Sequence, residues 1–349
     1  MTLSGDVSAH TLTSDGVSFD FYNASAVRID SIAPLGGPSE GSTLVTLRGA
    51  GYADRGGVFC RFGALRAGGY RHLDWQSVGK INFDGAVPAT LLSSTQLLCE
   101  SPPAGLDDQG YAVDAGAAVD VALMFNGDLT RRLAWIETSV VFSYENATTR
   151  VDATLPVAGP SSGGSLLNVS GQGFANLGGV FCRFGLAERT VAGTLLSAEL
   201  MQCRAPSISN SLSALGGVPT GSTVAQAEVV QVTLNGQEFT KSRAVFIAFD
   251  RAMVRVSVVV PSGGPLGGGT RLTVHGSGFA NHNAHCYIGG DILVRASVVN
   301  SSMLLCEAPV RTAASPASVE VTLNGDTASH TLTGDHVQFT YFNASAVQI

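Results

Sequence analysis

The chain has 349 residues, a net charge of −7, 13% charged residues, 45% hydrophobic residues and 42 glycines. That length suits three domains of about 100 residues. The acidic balance, with Lys80 and Lys241 the only lysines, argues against nucleic acid as a partner. No apolar run approaches the roughly 18–20 residues of a membrane span.

In chain order, residues 1–29 match residues 321–349 without a gap, at an offset of 320, with 17 of the 29 positions identical. At the far end this segment reads as the last hairpin of a domain. At the near end, residues 1–27 therefore read as the last hairpin of a preceding domain. Thr2 to Asp6 have neither the basic nor the apolar region of a signal peptide. Six cysteines at repeated positions nevertheless point to an oxidising compartment. The two fit if the sequence is a window from a longer tandem array. The alternative is that the first hairpin completes a sheet in a neighbouring molecule.

Three domains follow, at 28–149, 150–254 and 255–349. Each opens with a proline (Pro34, Pro156, Pro261), and an aromatic (Tyr52, Phe174, Phe279) stands 18 residues later. The pattern between them reads as strand, tight Gly/Pro turn, strand. Val45 and Leu47, Leu167 and Val169, and Leu272 and Val274 are expected to face inward. Thr46, Asn168 and Thr273 are expected to face outward.

Next comes GGVFCRFG, identical at 56–63 and 178–185, with a degenerate AHCYIGG from Ala284 to Gly290. The stretch alternates as a strand with Val58, Cys60 and Phe62 on the buried face, which places Phe59 and Arg61 on the other. A second cysteine follows in the frame C-x-[SA]-P, at Cys99, Cys203 and Cys306. Later, Asn126-Gly127, Asn235-Gly236 and Asn324-Gly325 each follow an alternating strand and read as hairpin turns. A last alternating strand closes each domain, giving about seven strands and an immunoglobulin-like sandwich. The junctions are short, so neighbouring domains are expected to be held rather than loosely tethered.

The opening P-x-x-G-P-x-x-G-G-[ST], the G-x-G-[FY], the C-x-F-G and the C-x-[SA]-P together resemble IPT/TIG domains, the immunoglobulin-like repeats of plexins and fibrocystin-type proteins. The resemblance covers three full copies and one partial copy. It implies an all-β fold of tandem Ig-like sandwiches and a structural, adhesive or receptor role. It supplies no catalytic residue to carry over. Glu40-Gly41-Ser42 and Ile288 depart from the pattern without disturbing the fold.

One like-placed cysteine pair per repeat predicts the disulfides Cys60–Cys99, Cys182–Cys203 and Cys286–Cys306, the one pairing among 15 that stays within every domain. Five sequons, at Asn23, Asn146, Asn168, Asn300 and Asn343, are expected to carry N-linked glycans. Asn23, Asn146 and Asn343 hold one position, just past a last strand. The second domain has Asp250-Arg251-Ala252 there.

Other chemistry is weaker. Residues 37–41 and 159–163 fit the nucleophile elbow G-x-S-x-G, but a strand follows where that motif needs a helix, and the third copy has Leu266 in place of the serine. His282, His285 and Cys286 resemble a metal cluster, yet Cys286 occupies the place of Cys60 and Cys182. Asp107, Asp108 and Asp114 match no calcium ligand spacing. An insertion bearing Tyr70, His72, Trp75 and Phe83 either folds back on its domain or meets a protein or glycan ligand. No enzyme activity, cofactor or metal is expected. The partners expected are neighbouring copies of the same array and N-linked glycans. The reading is a non-enzymatic, extracellular, glycosylated array forming a rod or fibre, in which three domains span on the order of 110–130 Å. The alternative is an ectodomain segment of a plexin- or fibrocystin-type receptor or adhesin.

Overall fold

A computed structural model describes residues 21–63, 86–104, 118–128, 135–145, 149–185, 189–208, 226–242 and 244–344. The aromatic insertion with Tyr70 and Trp75, the Asp107–Asp114 segment, Asn146 and most of the first hairpin lie outside these residues.

The chain is all-β, in three repeats of one plan. The first comprises β1 (Arg28–Ala33), β2 (Gly36–Pro38), β3 (Leu44–Ala50), β4 (Phe59–Phe62), β5 (Ala86–Ser93), β6 (Gln96–Glu100), β7 (Ala118–Met124) and β8 (Val141–Glu145). The second comprises β9 (Arg150–Leu155), β10 (Ala158–Pro160), β11 (Leu166–Gln172), β12 (Phe181–Phe184), β13 (Thr190–Ser197), β14 (Leu200–Arg204), β15 (Gln226–Thr233) and β16 (Val245–Phe249). The third comprises β17 (Arg255–Val260), β18 (Gly263–Pro265), β19 (Arg271–Ser277), β20 (His285–Ile288), β21 (Ile292–Arg295), β22 (Ser297–Asn300), β23 (Met303–Glu307), β24 (Pro316–Thr322) and β25 (Val337–Phe342). They fall into two compact units, Met1–Ala33 with Glu40–Tyr144, and Pro34–Ser39 with Glu145–Ile349.

Within the first unit the strands run β1-β3-β6-β5-β4-β7-β8. Residues Ala89 to Ser93 of β5 pair with β6, while Ala86 to Pro88 pair with β4, so this long strand turns the corner between the two layers. The second repeat does the same through β13. In the third the corner strand is broken at Ala296 into β21 and β22, leaving two separate sheets.

The inward positions expected from alternation are the core. Val45, Leu47, Leu167, Val169, Leu272 and Val274 are all 0% exposed. Each repeat has its own apolar cluster, with edge-on aromatic pairs such as Phe62–Phe142, Phe184–Phe246 and Phe339–Tyr341.

G-x-G-[FY] has a steric cause. A Cβ on Gly171 would lie 2.1 Å from Arg150 O and 2.4 Å from the Phe174 ring, and one on Gly276 meets Arg255 O and Phe279 in the same way. The aromatic is laid over a bare backbone at a bulge, so only glycine fits.

Three expectations are corrected. The Gly/Pro segment after the opening strand is not merely a turn. Ala158–Pro160 pairs in parallel with Ile247 to Phe249, and Gly263–Pro265 with Thr340 to Phe342, so the chain crosses to the opposite sheet there. Pro156 and Pro261 stand between the two strands at the crossing.

The Asn-Gly pairs do not close two-residue hairpins. Asn126 and Asn235 instead form bridges to Gly57 and Gly179, and only the glycines, with φ of 65°, 82° and 77°, take the left-handed conformation. A tight hairpin of the Asn-Gly type needs positive φ at both residues.

Arg61, read as outward-facing, is 1% exposed. An apolar patch of Ala86, Ala122, Met124 and Trp135 covers the far side of that sheet.

Candidate functional site

The two layers of each repeat are joined by the bonds Cys60–Cys99, Cys182–Cys203 and Cys286–Cys306, with Cα–Cα distances of 6.3, 6.3 and 6.4 Å. All six cysteines are buried. Bonding to Cys306 takes Cys286 out of the His282–His285 cluster as a thiolate. Burial pushes the His282 imidazole below its ordinary pKa. Burial pushes the Tyr144 hydroxyl, which donates to Pro102 O at 3.0 Å, above its ordinary pKa, and burial pushes Tyr52 up to about 12.

The second unit contains a joint between successive repeats, made twice. Asn324 Nδ2 donates to Ala158 O at 2.9 Å, and Asn235 Nδ2 donates to Gly36 O at 3.1 Å. In both cases the asparagine belongs to the Asn-Gly pair of one repeat and the carbonyl to the crossing strand of the repeat before. A threonine two residues upstream holds each amide: Thr233 and Thr322 donate to the asparagine Oδ1 at 3.1 and 2.9 Å. Backbone N–H groups of Gln237 and Glu238, and of Asp326, add to these. With its oxygen saturated, each side chain has only its amide hydrogens to offer outward, and a carbonyl of the neighbour takes one. Leu35 N also donates to Leu177 O at 2.7 Å. Ala158 and Phe249 of the second repeat are counted in the apolar core of the third.

The turn leading into the third repeat adds a clamp. Arg251 donates from Nε to Leu332 O at 2.7 Å and from Nη2 to Thr333 O at 3.2 Å. Asp250 caps this short 3-10 turn by accepting from Ala252 N. Asn23 caps the matching turn Ala24–Ala26 by accepting from Ser25 N. The aspartate thus keeps the turn while removing the amide that a glycan needs, and arginine stands where the other copy has Ala24.

The remaining sequons differ in geometry. Asn300 is exposed at the end of β22, and its Oδ1 accepts from both Ser302 N and Ser302 Oγ, at 2.8 and 2.9 Å. The Ser25 hydroxyl donates to Asn23 in the same way. Asn168 is exposed but lies mid-strand, paired on both sides with Leu155 and Gln202, and its Oδ1 accepts from Gln202 Nε2 at 2.8 Å. Its sequon hydroxyl, on Ser170, turns instead to Ala153 O. Asn168 also borders an open groove of about 380 Å³ at the joint, between Leu155 and Pro156 on one side and Asn283, Asn324 and Asp326 on the other. Asn343 is exposed.

Among the described residues no cluster of three or more histidines, cysteines or carboxylates could hold a metal. Sequence reasoning missed the roles of Asn235, Asn324 and Arg251. The signals were present: T-L-N-G recurs at 233–236 and 322–325, and D-R-A replaces N-A-[ST].

A family model described as "IPT/TIG domain" matches residues 150–240 and 254–341, together more than half of the chain. No curated protein matches. Among solved structures, the plexin A4 full extracellular region aligns over 91% of this chain at 18% identity with a TM-score of 0.43, and in a second crystal form over 90% at 13% with 0.35. The chain spans 24% and 33% of those two chains. The Escherichia coli adhesin FdeC aligns over 94% of this chain and 100% of its own, at 11% identity and a TM-score of 0.25.

Proposed function

The chain belongs to the IPT/TIG domain family, and from that premise we propose that it is a segment of a non-enzymatic, extracellular array whose work is structural, a glycosylated rod or fibre element. The observation that carries the reading is the repeated joint: an asparagine buried in each of two successive repeats donates to the crossing strand of the repeat before it. Domains that exist only to present a ligand site need no such joint. Domains that must transmit position or tension do. Three buried disulfides support an oxidising, extracellular setting. The nucleophile-elbow matches lead into strands Leu44–Ala50 and Leu166–Gln172.

Glycans on Asn23, Asn146 and Asn343 would coat the entries to successive repeats and shield strand edges from side-by-side pairing. Asn23 and Asn300 are exposed, each accepts from its own sequon hydroxyl, and both should be occupied. Asn168, held in mid-strand at the joint, should be the least occupied.

The test is imaging of the native assembly together with peptide mapping after amide-cleaving glycosidase. A fixed axial repeat, with aspartate appearing at Asn23 and Asn300 and not at Asn168, is expected. A compact particle bending freely at every junction would overturn the fibre and favour a receptor or adhesin ectodomain.

A further inference from the structure

Among the described residues the joint leaves two unmatched halves. Its acceptor side is the crossing strand of each repeat. Gly36 and Ala158, whose carbonyls receive an asparagine, are buried, whereas the equivalent Gly263 is half-exposed. Phe249, which enters the core of the following repeat, is 6% exposed, and the equivalent Phe342 is 42% exposed. Its donor side is the Asn-Gly pair. Asn235 and Asn324 are 5% and 4% exposed, but Asn126 is exposed. Asn126 already has the local arrangement, with Oδ1 accepting from Asp128 N at 3.2 Å, although Met124 stands where the other repeats have the holding threonine.

We propose that the face of the third sandwich around Gly263 O and Phe342 docks the first sandwich of a further copy of this chain, with Asn126 Nδ2 of that copy donating to Gly263 O. The occupant follows from the sequence. Residues 1–27 and 321–347 are one segment in two copies, so a chain that continues past Val347 as this one continues past Val27 places a first sandwich directly after the third. The contact is the one made twice already, and the buried state of its matched halves is what the unmatched halves lack. This rests on the array reading and deepens it by naming the partner face.

The test uses two full copies spliced at the matching segment, residues 1–347 followed directly by residues 28–349. Leu35 N meets Leu177 O at the observed joint. The corresponding residues at the new one are Ser262 of the first copy and Arg55 of the second, both exposed. All six native cysteines are bonded, so Ser262→Cys in the first copy and Arg55→Cys in the second add the only free thiols. The expected result is an intramolecular disulfide formed at least about ten-fold faster than in a control with Leu293→Cys replacing Ser262→Cys, since a docked joint raises the effective thiol concentration. Adding Asn126→Asp in the second copy, which keeps the shape and removes the donor, should slow trapping about five-fold. Trapping no faster than the control, or unchanged by Asn126→Asp, overturns the joint. A native assembly that shows a fixed axial repeat beside a failed trap would sink this joint alone and leave the array reading standing.

Discussion

The same eight residues, GGVFCRFG, sit in two sandwiches and meet two different surroundings. In the first, Arg61 lies under the Trp135 ring at 4.9 Å, donates to both oxygens of Glu137 at 2.8 and 2.7 Å and to Gly63 O at 2.8 Å, and is buried. In the second, Arg183 is half-buried, stands 3.8 Å over the Phe239 ring and donates to Gln231 Oε1 at 2.7 Å. The inward residues do not differ: Cys60 and Cys182, and Phe62 and Phe184, are all buried. An identical strand therefore determines its own core face and its disulfide, while its outer face is settled by the strand beside it. In the register of the sheet Arg61 faces Ala122 and Phe59 faces Met124, whereas Arg183 faces Gln231 and Phe181 faces Thr233. An apolar neighbour invites a cover, and a polar neighbour holds the arginine at the surface.

The largest expected effect breaks what the two copies share. Replacing both members of a disulfide by alanine should cost about 4 kcal/mol for Cys60–Cys99, which closes 39 residues, and about 3 kcal/mol for Cys182–Cys203, which closes 21. Loop entropy grows only as the logarithm of length, so the two losses should lie within about 1 kcal/mol of each other. Hydrogen exchange resolved by sandwich, with denaturant, reads each loss separately. A first sandwich hurt no more than its surface would predict would place its stability in the packing around Trp135.

The second prediction breaks what they do not share. Trp135→Ala should destabilise the first sandwich by roughly 3 kcal/mol, because it opens a cavity over Arg61 and uncovers Met124. Phe239→Ala should cost the second less than about 1 kcal/mol, the scale of an exposed cation–π contact. Equal losses in the two sandwiches would refute the account of a covered against an open face.

Much of the fold was legible because alternation reports burial directly. Val45, Leu167 and Leu272, with the cysteine frame, place the strands and the layers of all three repeats. Arg61 was misread for a physical reason: a charged residue opposite a cysteine signals solvent, and alternation cannot see a second apolar layer. The cue lay one strand away, in Ala122 and Met124. The crossing strands were read as turns because three residues such as Gly36–Pro38 carry no periodicity of their own. The joint escaped for a related reason. Asn-Gly is a hairpin signal in isolation, and only the partner repeat reveals that Asn235 and Asn324 spend their amides outside their own sandwich. The threonines that orient them were in plain view, without a local role to give them away.

The degenerate third copy sharpens the comparison, with the smallest effect. There Tyr287 replaces the arginine and faces Glu320. Ahead of it, His282 occupies the position of Leu177, three residues after the closing aromatic. Leu177 is 5% exposed and part of its core, Arg55 at the same place in the first copy is exposed, and His282 is half-buried between them. Burial accordingly holds the His282 pKa below its ordinary 6.5. Below that value the unfolded chain binds the proton before the folded one does, so unfolding takes up a proton and stability falls with pH. The contribution is whole above the unfolded pKa and is lost as pH falls through the folded one. His282→Leu should flatten this slope in the third sandwich, leave the first two unchanged, and cost nothing at pH 8, since the second copy already carries leucine there. Stability of the third sandwich, followed by hydrogen exchange from pH 8 to 5, checks it. A slope that survives His282→Leu would overturn the assignment to His282.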